Sequence, residues 1–248
     1  MTDQSLQFPR FYVTAPAPCP YLPGRQERKV FTELRGEEAG PLNDALSRVG
    51  FRRSQSVAYR PACESCSACI SVRVIAEEFT LSRNMRRVSD RNEDIVVQIT
   101  DPIATREQYR LLKSYLSNRH PSGGMADMDF QEYADMVEHS PVTTRLFEYR
   151  LPGANGQPGQ LIACCLSDIL SDGLSMVYSF FDPTQTRRSL GTYIILQHIA
   201  EACARHQRYV YLGYWIEGSS KMDYKARFQP MERLGANGWS RFVLDKKP

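Results

Sequence analysis

The sequence lacks a long apolar stretch. Its longest purely apolar run covers residues 161–166, whereas a membrane-spanning helix needs about 20 apolar residues. The first ten residues contain Asp3, Gln4 and Pro9 in place of the apolar segment of a secretory signal. We therefore expect a cytoplasmic protein with no membrane-spanning segment.

Signatures of several enzyme classes are also missing. The sequence contains no G-x-S-x-G element, no Walker phosphate loop and no H-E-x-x-H zinc motif. Its four histidines show no triad or ligand spacing, and His198 is predicted to pack in the core. Glycine and proline number 15 each among 248 residues, which excludes a collagen-like or low-complexity chain. The seven cysteines, an odd number, indicate a reducing compartment rather than a disulfide framework.

Charge is distributed unevenly along the chain. The 31 basic and 28 acidic side chains give a formal net charge of +3. Residues 101–172 carry 6 basic and 10 acidic side chains, whereas residues 173–248 carry 11 basic and 6 acidic ones. The basic last third suggests an anionic partner such as a nucleic acid, although a solvated helix face gives the same count.

The patterns of apolar and turn residues predict an α+β protein with two domains. We expect a cysteine-containing N-terminal domain over residues 1–100 and an acetyltransferase-like domain with an antiparallel-rich central sheet over residues 101–248. The second domain is expected because the strand–loop–helix–strand order over 174–214 resembles the acyl-donor half of an acetyltransferase-type fold. The predicted elements are strands at 51–59, 70–75, 95–100, 143–149, 160–170, 174–180 and 209–214, and a helix over 190–205.

A cysteine loop separates two of the predicted strands. Its Cys63-x-x-Cys66-x-x-Cys69 spacing could ligate zinc or an iron–sulfur cluster, with Cys19 as a distant fourth ligand. The alternative is a set of small, half-buried thiols under a tight turn. Since no further C-x-x-C pair occurs elsewhere in the chain, we predict no metal and a mainly structural role, and these four cysteines are the candidates if a metal is found.

A phosphate-binding loop is predicted at the start of the helix over 190–205. Backbone N–H groups at a helix start, aided by the helix dipole, bind phosphate. Acetyltransferases use an R/Q-x-x-G-x-G/A loop there, and Arg188-x-x-Gly191 matches it except that the last position is Tyr193. The alternative is a plain helix start capped by Ser189, with Gly191 allowing close packing. The candidate residues are Arg187, Arg188, Ser189, Gly191 and Thr192.

Aromatic and basic residues are interleaved over 205–228. This mixture suits an unpaired nucleic-acid end, because rings stack on bases and cations meet phosphates. About half of the aromatic residues are expected to be structural, since alternate strand positions must face a core. The candidates for binding are Lys221, Tyr224, Lys225 and Arg227.

Seven sequence blocks resemble the arginyltransferase (aminoacyl-tRNA–protein transferase) family. C-P-Y-L-P-G-R at 19–25, G-F-R-R-S at 50–54 and Y-R-P-A-C-E-S-C-S-A-C-I at 59–70 resemble its N-terminal part. F-F-D-P at 180–183, R-S-L-G-T-Y at 188–193, Y-L-G-Y-W-I at 211–216 and K-M-D-Y-K-A-R-F-Q-P at 221–230 resemble its C-terminal part. The short chain and the first block resemble the bacterial aspartate/glutamate leucyltransferase branch. Leu22 stands where eukaryotic relatives complete a C-x-x-C pair, which argues against a family-type iron–sulfur cluster.

The resemblance implies transfer of leucine from leucyl-tRNA to the N-terminal α-amine of proteins that begin with Asp or Glu. The product would carry an N-degron for a downstream adaptor and protease. No cofactor is expected, because the aminoacyl ester is already activated. Such aminolysis needs help with amine deprotonation and donors for the oxyanion, for which Asp182 and Tyr178 are the candidates. The acidic acceptor residue needs cations, for which Arg25, Arg60 and Arg73 are the candidates.

Other functions compete with this one. Arginine from arginyl-tRNA is the alternative donor within the same family. An acetyl-CoA-dependent N-acetyltransferase would use a related fold with another donor. A zinc-bearing nucleic-acid-binding module would use the same cysteines and cations without catalysis.

Overall fold

A computed structural model describes residues 9–119 and 123–243. Asp3, Gln4 and His120, which entered the sequence interpretation, lie outside these ranges. None of the helices within them is both long enough and apolar enough to cross a membrane.

The N-terminal part contains a small antiparallel sheet and one helix. Four strands pair in the order β1-β4-β6-β5, and β2 and β3 form a separate two-stranded ladder. The predicted single strand over 51–59 is instead a hairpin, in which Gln55 adopts a left-handed conformation at the turn. The elements are β1 (Tyr12–Val13), β2 (Ala17–Pro18), β3 (Gln26–Glu27), β4 (Lys29–Glu33), α1 (Ala39–Arg48), β5 (Arg52–Ser54) and β6 (Val57–Pro61).

The rest of the described chain forms one large sheet with helices on both faces. Its eight described strands are ordered β14-β13-β7-β12-β11-β10-β9-β8. Neighbouring strands are antiparallel except for β11 and β12, which are parallel. The elements are β7 (Ile70–Ile75), α2 (Arg83–Arg91), β8 (Val96–Thr100), α3 (Arg106–Arg119), α4 (Phe130–Glu138), β9 (Thr144–Arg150), β10 (Leu161–Ile169), β11 (Gly173–Phe181), α5 (Leu190–Ala204), β12 (Tyr209–Trp215), β13 (Met231–Gly235) and β14 (Gly238–Arg241).

The large sheet crosses the predicted domain boundary at residue 100. Strands β7 and β8 precede that position, yet β7 pairs with β12 and β13, and β8 pairs with β9. The α+β class and the antiparallel-rich sheet are as predicted, whereas the division into two domains at this residue stays a prediction.

Two hydrophobic cores hold the helices on the sheet. In the larger core, α5 contributes Ile194 and Ile199, which pack with Val72 and Val210 of the central strands. In the smaller core, Leu112 of α3 and Tyr133 of α4 pack together with residues of β10 and β11. His198 has no exposed surface, so its predicted place in the core is confirmed.

Candidate active site

The two parallel strands of the sheet separate towards their carboxyl ends. Strands β11 and β12 pair only where Gly173–Ser175 face Tyr209–Tyr211, although the strands continue to Phe181 and Trp215. A bulge in the pairing of β12 with β7 at Gly213 accompanies the separation. The separation leaves a cleft between the two strands, and Ile195 of helix α5 lies beside it.

The guanidinium of Arg52 lies in the gap between β11 and β12, beyond their last paired residues. Its Nη2 donates to the carbonyl oxygens of Met176 and Val177 of β11, each at 3.2 Å. On the other side it lies so close to Gly213 that a Cβ there would be 2.4 Å from its Cζ. Gly213 also adopts a φ of +72°, so only glycine suits this position. Arg52 thus replaces the strand pairing that the separation removes.

A cavity of about 530 Å³ opens at this cleft, which is within the usual size range of small-ligand sites. Its wall is largely apolar, and its charged members are cations. Among the described residues no Asp, Glu or His lines it. The apolar side chains are Leu116, Met125, Met136, Leu166, Met176, Val177, Ile195, Leu212 and Met222, and the cations are Arg52, Arg53, Lys221 and Lys225.

Lys225 is a buried amine in this wall. Only 6% of the residue is exposed, and its Nζ donates to the carbonyl oxygen of Tyr214 at 2.7 Å. Burial and, second to it, the charge of Arg52 hold the pKa of Lys225 well below its usual value. The sequence predicted that Lys225 binds tRNA, which stays a prediction; the structure places the residue in the short 3₁₀ helix Asp223–Arg227 with its side chain buried.

The other candidates from residues 178 and 221–227 differ in position. Tyr178 lines the cavity, and burial raises the pKa of its hydroxyl. Lys221 and Tyr224 also line it and are exposed. Arg227 is exposed but does not line the cavity.

Asp182, the other catalytic candidate, is engaged in a turn after β11. Its Oδ1 accepts hydrogen bonds from the backbone N–H of Thr184 at 2.9 Å and from the Thr184 hydroxyl at 2.7 Å. It does not line the cavity. The structure therefore brings Tyr178 to the cleft but not Asp182.

The predicted phosphate loop is held against helix α2. Arg188 forms a two-pronged ion pair with Asp94, with Nη–Oδ distances of 2.7 and 2.8 Å, and Arg91 donates to the carbonyl of Arg187. The ion pair with Arg188 lowers the pKa of the Asp94 carboxyl. Arg187 is exposed. The loop therefore offers fewer available cations than its sequence indicates.

The backbone N–H groups at the start of α5 already form some of their hydrogen bonds within the loop. Ser189 has a φ of +52° and its side chain forms no cap hydrogen bond. The backbone N–H of Thr192 donates to the Ser189 carbonyl. A Cβ on Gly191 would lie 3.4 Å from the ring of Phe181, which is the close packing of the alternative interpretation.

The interleaved aromatic residues are mainly structural. Of the six aromatic side chains between Tyr209 and Phe228, five are buried and only Tyr224, at 38%, is exposed. The buried members are Tyr209, Tyr211, Tyr214, Trp215 and Phe228. About half of these aromatic residues were expected to be structural, and the buried share is larger because β12 is covered on both faces.

A second, smaller cavity of about 330 Å³ lies beside the first. Pro20, Tyr21 and Tyr59 line both cavities, so they form the partition between them. Arg25 and Arg60, two of the three candidates for an acidic acceptor residue, line the smaller one. Within the described chain neither of them forms an ion pair: Arg25 donates to Cys66 Sγ at 3.2 Å and Arg60 to the Val49 carbonyl at 3.3 Å.

Arg73, the third acceptor candidate, lies elsewhere. Its guanidinium is 2.7 Å from the carboxylate of Glu232 and donates to the hydroxyl of Tyr211. It also stacks on Tyr209 at 3.5 Å and Trp239 at 4.2 Å. These contacts bury Arg73 and neutralise its charge. Arg73 does not line the cavity that Arg25 and Arg60 share, so the structure does not bring it together with the other two arginines.

The four candidate cysteines surround the smaller cavity. Cys19, Cys63, Cys66 and Cys69 are all half-buried free thiols that line it. Burial and the three neighbouring thiols raise the pKa of Cys69 to about 11. The backbone N–H of Ala68, and after it Arg25, lower the pKa of Cys66. Across the described ranges, no three His, Cys, Asp or Glu side chains are arranged to ligate one metal ion.

Comparison with known proteins identifies the family. Sequences described as the N terminus of arginine-tRNA-protein transferase match residues 17–87, and those described as its C terminus match residues 107–235. The chain belongs to this family. The aspartate/glutamate leucyltransferase of Sphingopyxis alaskensis is 62% identical over 237 residues, which cover 95% of this chain and 92% of its own. A protein of the same name from a Bradyrhizobium species is 59% identical over 252 residues, covering 100% of this chain and 98% of its own.

Solved structures of other proteins are more distant from this family member. L-PGS from Bacillus licheniformis gives a TM-score of 0.49 at 13% identity, covering 62% of this chain and 49% of its own. A GCN5-related glucosamine N-acetyltransferase region in a fungal multi-domain enzyme gives 0.42 at 11% identity, covering 85% and 22%.

The sequence interpretation missed the residues that shape the cavities. Arg52, Tyr21 and Tyr59 stand within or beside the family blocks, which was the available signal. Met136 of α4 and Met125 of the preceding turn carried no signal, because single apolar residues are indistinguishable in a sequence from ordinary core residues.

Proposed function

We propose that this chain transfers leucine from leucyl-tRNA to the N-terminal α-amine of proteins that begin with Asp or Glu. The names of its relatives support the reaction, and the composition of the larger cavity carries the choice of donor. An arginyl guanidinium would enter an apolar wall whose described charges are all positive. The isobutyl group of leucine suits the same wall, since methionine and leucine side chains bury it without leaving a polar group unpaired.

The acceptor is assigned to the smaller cavity. Arg25 and Arg60 face it without a carboxylate partner among the described residues, in contrast to Lys29, which is 2.7 Å from Glu27. An arginine without an intramolecular ion pair is free to bind the carboxylate of an N-terminal Asp or Glu. Since Tyr21 and Tyr59 separate the cavities, the α-amine of an acceptor bound there would lie beside the ester in the larger one.

The tRNA is proposed to approach from the start of helix α5. Arg187 is exposed there, close to Arg91 of α2. Lys221 and Tyr224 stand on the rim of the larger cavity and suit the terminal nucleotide. The product would then carry an N-degron in the cytoplasm for a separate adaptor and protease.

Transfer assays with labelled leucyl-tRNA and peptides that differ only in their first residue test the acceptor assignment. Peptides beginning with Asp and Glu are expected to accept leucine, and those beginning with Ala or Lys are expected to accept little. Equal use of the Ala peptide would overturn the acceptor specificity. Acetylation of the same peptides from acetyl-CoA, without leucine transfer, would establish the acetyltransferase alternative.

Substitutions in the smaller cavity locate the acceptor site. Arg25→Ala and Arg60→Ala are each expected to raise the peptide KM by about 10- to 100-fold, the usual loss for a charge-assisted hydrogen bond of about 1.5–3 kcal/mol. Arg28→Ala is the matched control, because Arg28 pairs with exposed Glu64 and does not line this cavity. An unchanged peptide KM in both test variants would remove the acceptor from this cavity.

A further inference from the structure

We infer that Lys225 takes the surplus proton from the acceptor's α-amine after it attacks the ester carbonyl, and delivers this proton to the leaving ribose oxygen of the aminoacyl ester. This inference rests on the proposed function, since it assumes an ester bound in the larger cavity. It gives Lys225 a role in the chemical step in place of the phosphate contact that its sequence context predicts.

The inference begins with the side chains that the cavity offers. Attack by an amine produces a positively charged nitrogen that must lose a proton, so aminolysis benefits from a nearby base. Carboxylates and imidazoles, the usual bases, do not occur among the described residues of this wall. The guanidinium groups of Arg52 and Arg53 offer donors and no acceptor, and Arg53 is in addition paired with Asp168.

Four tyrosines of the cavity are also unsuitable as bases at neutral pH. Burial raises the pKa values of Tyr21, Tyr115 and Tyr178 above the usual value for tyrosine, and desolvation raises that of the partly exposed Tyr224. Of the two lysines in the described wall, Lys221 is exposed to solvent, whereas Lys225 is buried.

Its surroundings favour the neutral amine. Lys225 is buried, and within the described residues no carboxylate lies within ion-pair distance of Nζ. A lysine that is desolvated and placed near a second cation loses its proton at lower pH, which is a common way to activate lysines in active sites. The ionisable groups that share the cavity with it, or contact it from neighbouring strands, are Arg52, Arg53, Lys221, Tyr21, Tyr59, Tyr115, Tyr178, Tyr214 and Tyr224.

The hydrogen bond to Tyr214 fixes the direction of the amine. Nζ donates one hydrogen to the Tyr214 carbonyl, which leaves a neutral amine with a second hydrogen and its lone pair. Tyr214 is itself anchored, because its hydroxyl donates to the carbonyls of Gly50 and Tyr59, each at 3.1 Å. The amine is therefore held against strand β12, at a residue that lines the smaller cavity.

The step balances without any further reactant. The acceptor nitrogen forms a bond to the leucyl carbonyl carbon, and its surplus proton moves to Nζ of Lys225. The tetrahedral intermediate then expels the ribose oxygen, and the C–O bond electrons leave with it. That oxygen takes the proton from Lys225, which restores the neutral amine and releases a peptide bond and a free tRNA 3′ end.

Two substitutions at this position separate a proton carrier from a structural lysine. Lys225→Met keeps the length of the side chain and removes the base, so kcat is expected to fall at least 100-fold at pH 7, with the affinity for leucyl-tRNA changed less than threefold. Lys225→Arg keeps a donor for the Tyr214 carbonyl but is permanently charged, so it is not expected to restore kcat. Lys113→Met is the matched control, because Nζ of Lys113 also donates to a carbonyl, that of Ala126, outside the cavity wall.

The pH dependence separates the loss of a base from the ionisation of the acceptor amine. Because the step begins with a neutral acceptor amine, wild-type kcat rises with the titration of that amine, near pH 7.7–8.0. The deficit in kcat of Lys225→Met against wild type is expected to persist at pH 8.5, where the amine is mostly neutral but its tetrahedral adduct must still lose a proton. A deficit that disappears at pH 8.5 would overturn the inference. Full kcat in folded Lys225→Met, or rescue by Lys225→Arg, would overturn it as well. If wild-type protein transfers no leucine at all, the proposed function fails instead.

Discussion

A buried ion pair joins the small N-terminal sheet to the large sheet. Arg53 of β5 and Asp168 of β10 are each only 1% exposed in their side chains. Two parallel hydrogen bonds connect them, from Nε to Oδ2 at 2.7 Å and from Nη2 to Oδ1 at 2.6 Å. The hydroxyl of Thr144 donates to the same carboxylate at 2.9 Å. Arg52, the neighbour of Arg53, fills the cleft, so this pair also fixes one side of the active site.

Removing one partner of this pair should destabilise the protein strongly. Asp168→Asn leaves the guanidinium buried without a countercharge, for which we expect a loss of about 3–5 kcal/mol in the free energy of unfolding. The double variant Arg53→Met with Asp168→Leu removes both charges and both desolvation costs. It should therefore be within about 1–2 kcal/mol of wild type, and more stable than Asp168→Asn alone.

Urea denaturation followed by circular dichroism measures both variants against one control. Glu201→Gln disrupts a partly exposed ion pair within α5 and should cost less than about 1 kcal/mol. If Asp168→Asn costs no more than Glu201→Gln, the buried pair does not hold the two sheets together, and the reasoning from its burial is wrong.

Three further predictions concern pH, the thiols and the tRNA. Burial lowers the pKa of His198 to about 4, below the value of about 6.5 in an unfolded chain. The unfolded state therefore binds more protons, and the free energy of unfolding should fall by up to about 3 kcal/mol as pH drops from about 6.5 towards 4. Urea unfolding at pH 5 and 7.5 should show this decrease in wild type but not in His198→Gln. Single Cys→Ser changes at Cys63, Cys66 and Cys69 should lower the unfolding midpoint more than the activity per folded molecule; stoichiometric zinc or iron, lost together with activity on chelation, would contradict this. Arg187→Ala should weaken leucyl-tRNA binding by about 1 kcal/mol and reduce the salt slope by about 1, as measured by binding titrations at several salt concentrations, and an unchanged slope would exclude a phosphate contact there.

Local sequence patterns were sufficient to predict the C-terminal strands and the long helix. The predicted strand over 174–180 and helix over 190–205 correspond to Gly173–Phe181 and Leu190–Ala204. Alternation of apolar residues and an Asp-Gly turn act over a few residues, so they can be recognised in a single sequence.

The long-range pairings could not be predicted in this way. Strand β7 lies between β12 and β13, about 140–160 residues further along the chain. No local pattern reports such a neighbour. The same limit explains why the partners of Lys225 and Arg188 were not predicted. Both residues occur in basic segments, but Lys225 donates to a carbonyl of β12 and Arg188 pairs with Asp94.

The most direct test of the central claim offers leucyl-tRNA and arginyl-tRNA separately to one peptide that begins with Asp. The larger cavity, with its methionine and leucine side chains and no carboxylate among the described residues of its wall, predicts transfer of leucine and little or no transfer of arginine. Mass spectrometry of the peptide distinguishes the two products. Efficient arginine transfer without leucine transfer would contradict the assignment of the donor and the account of the cavity on which it depends.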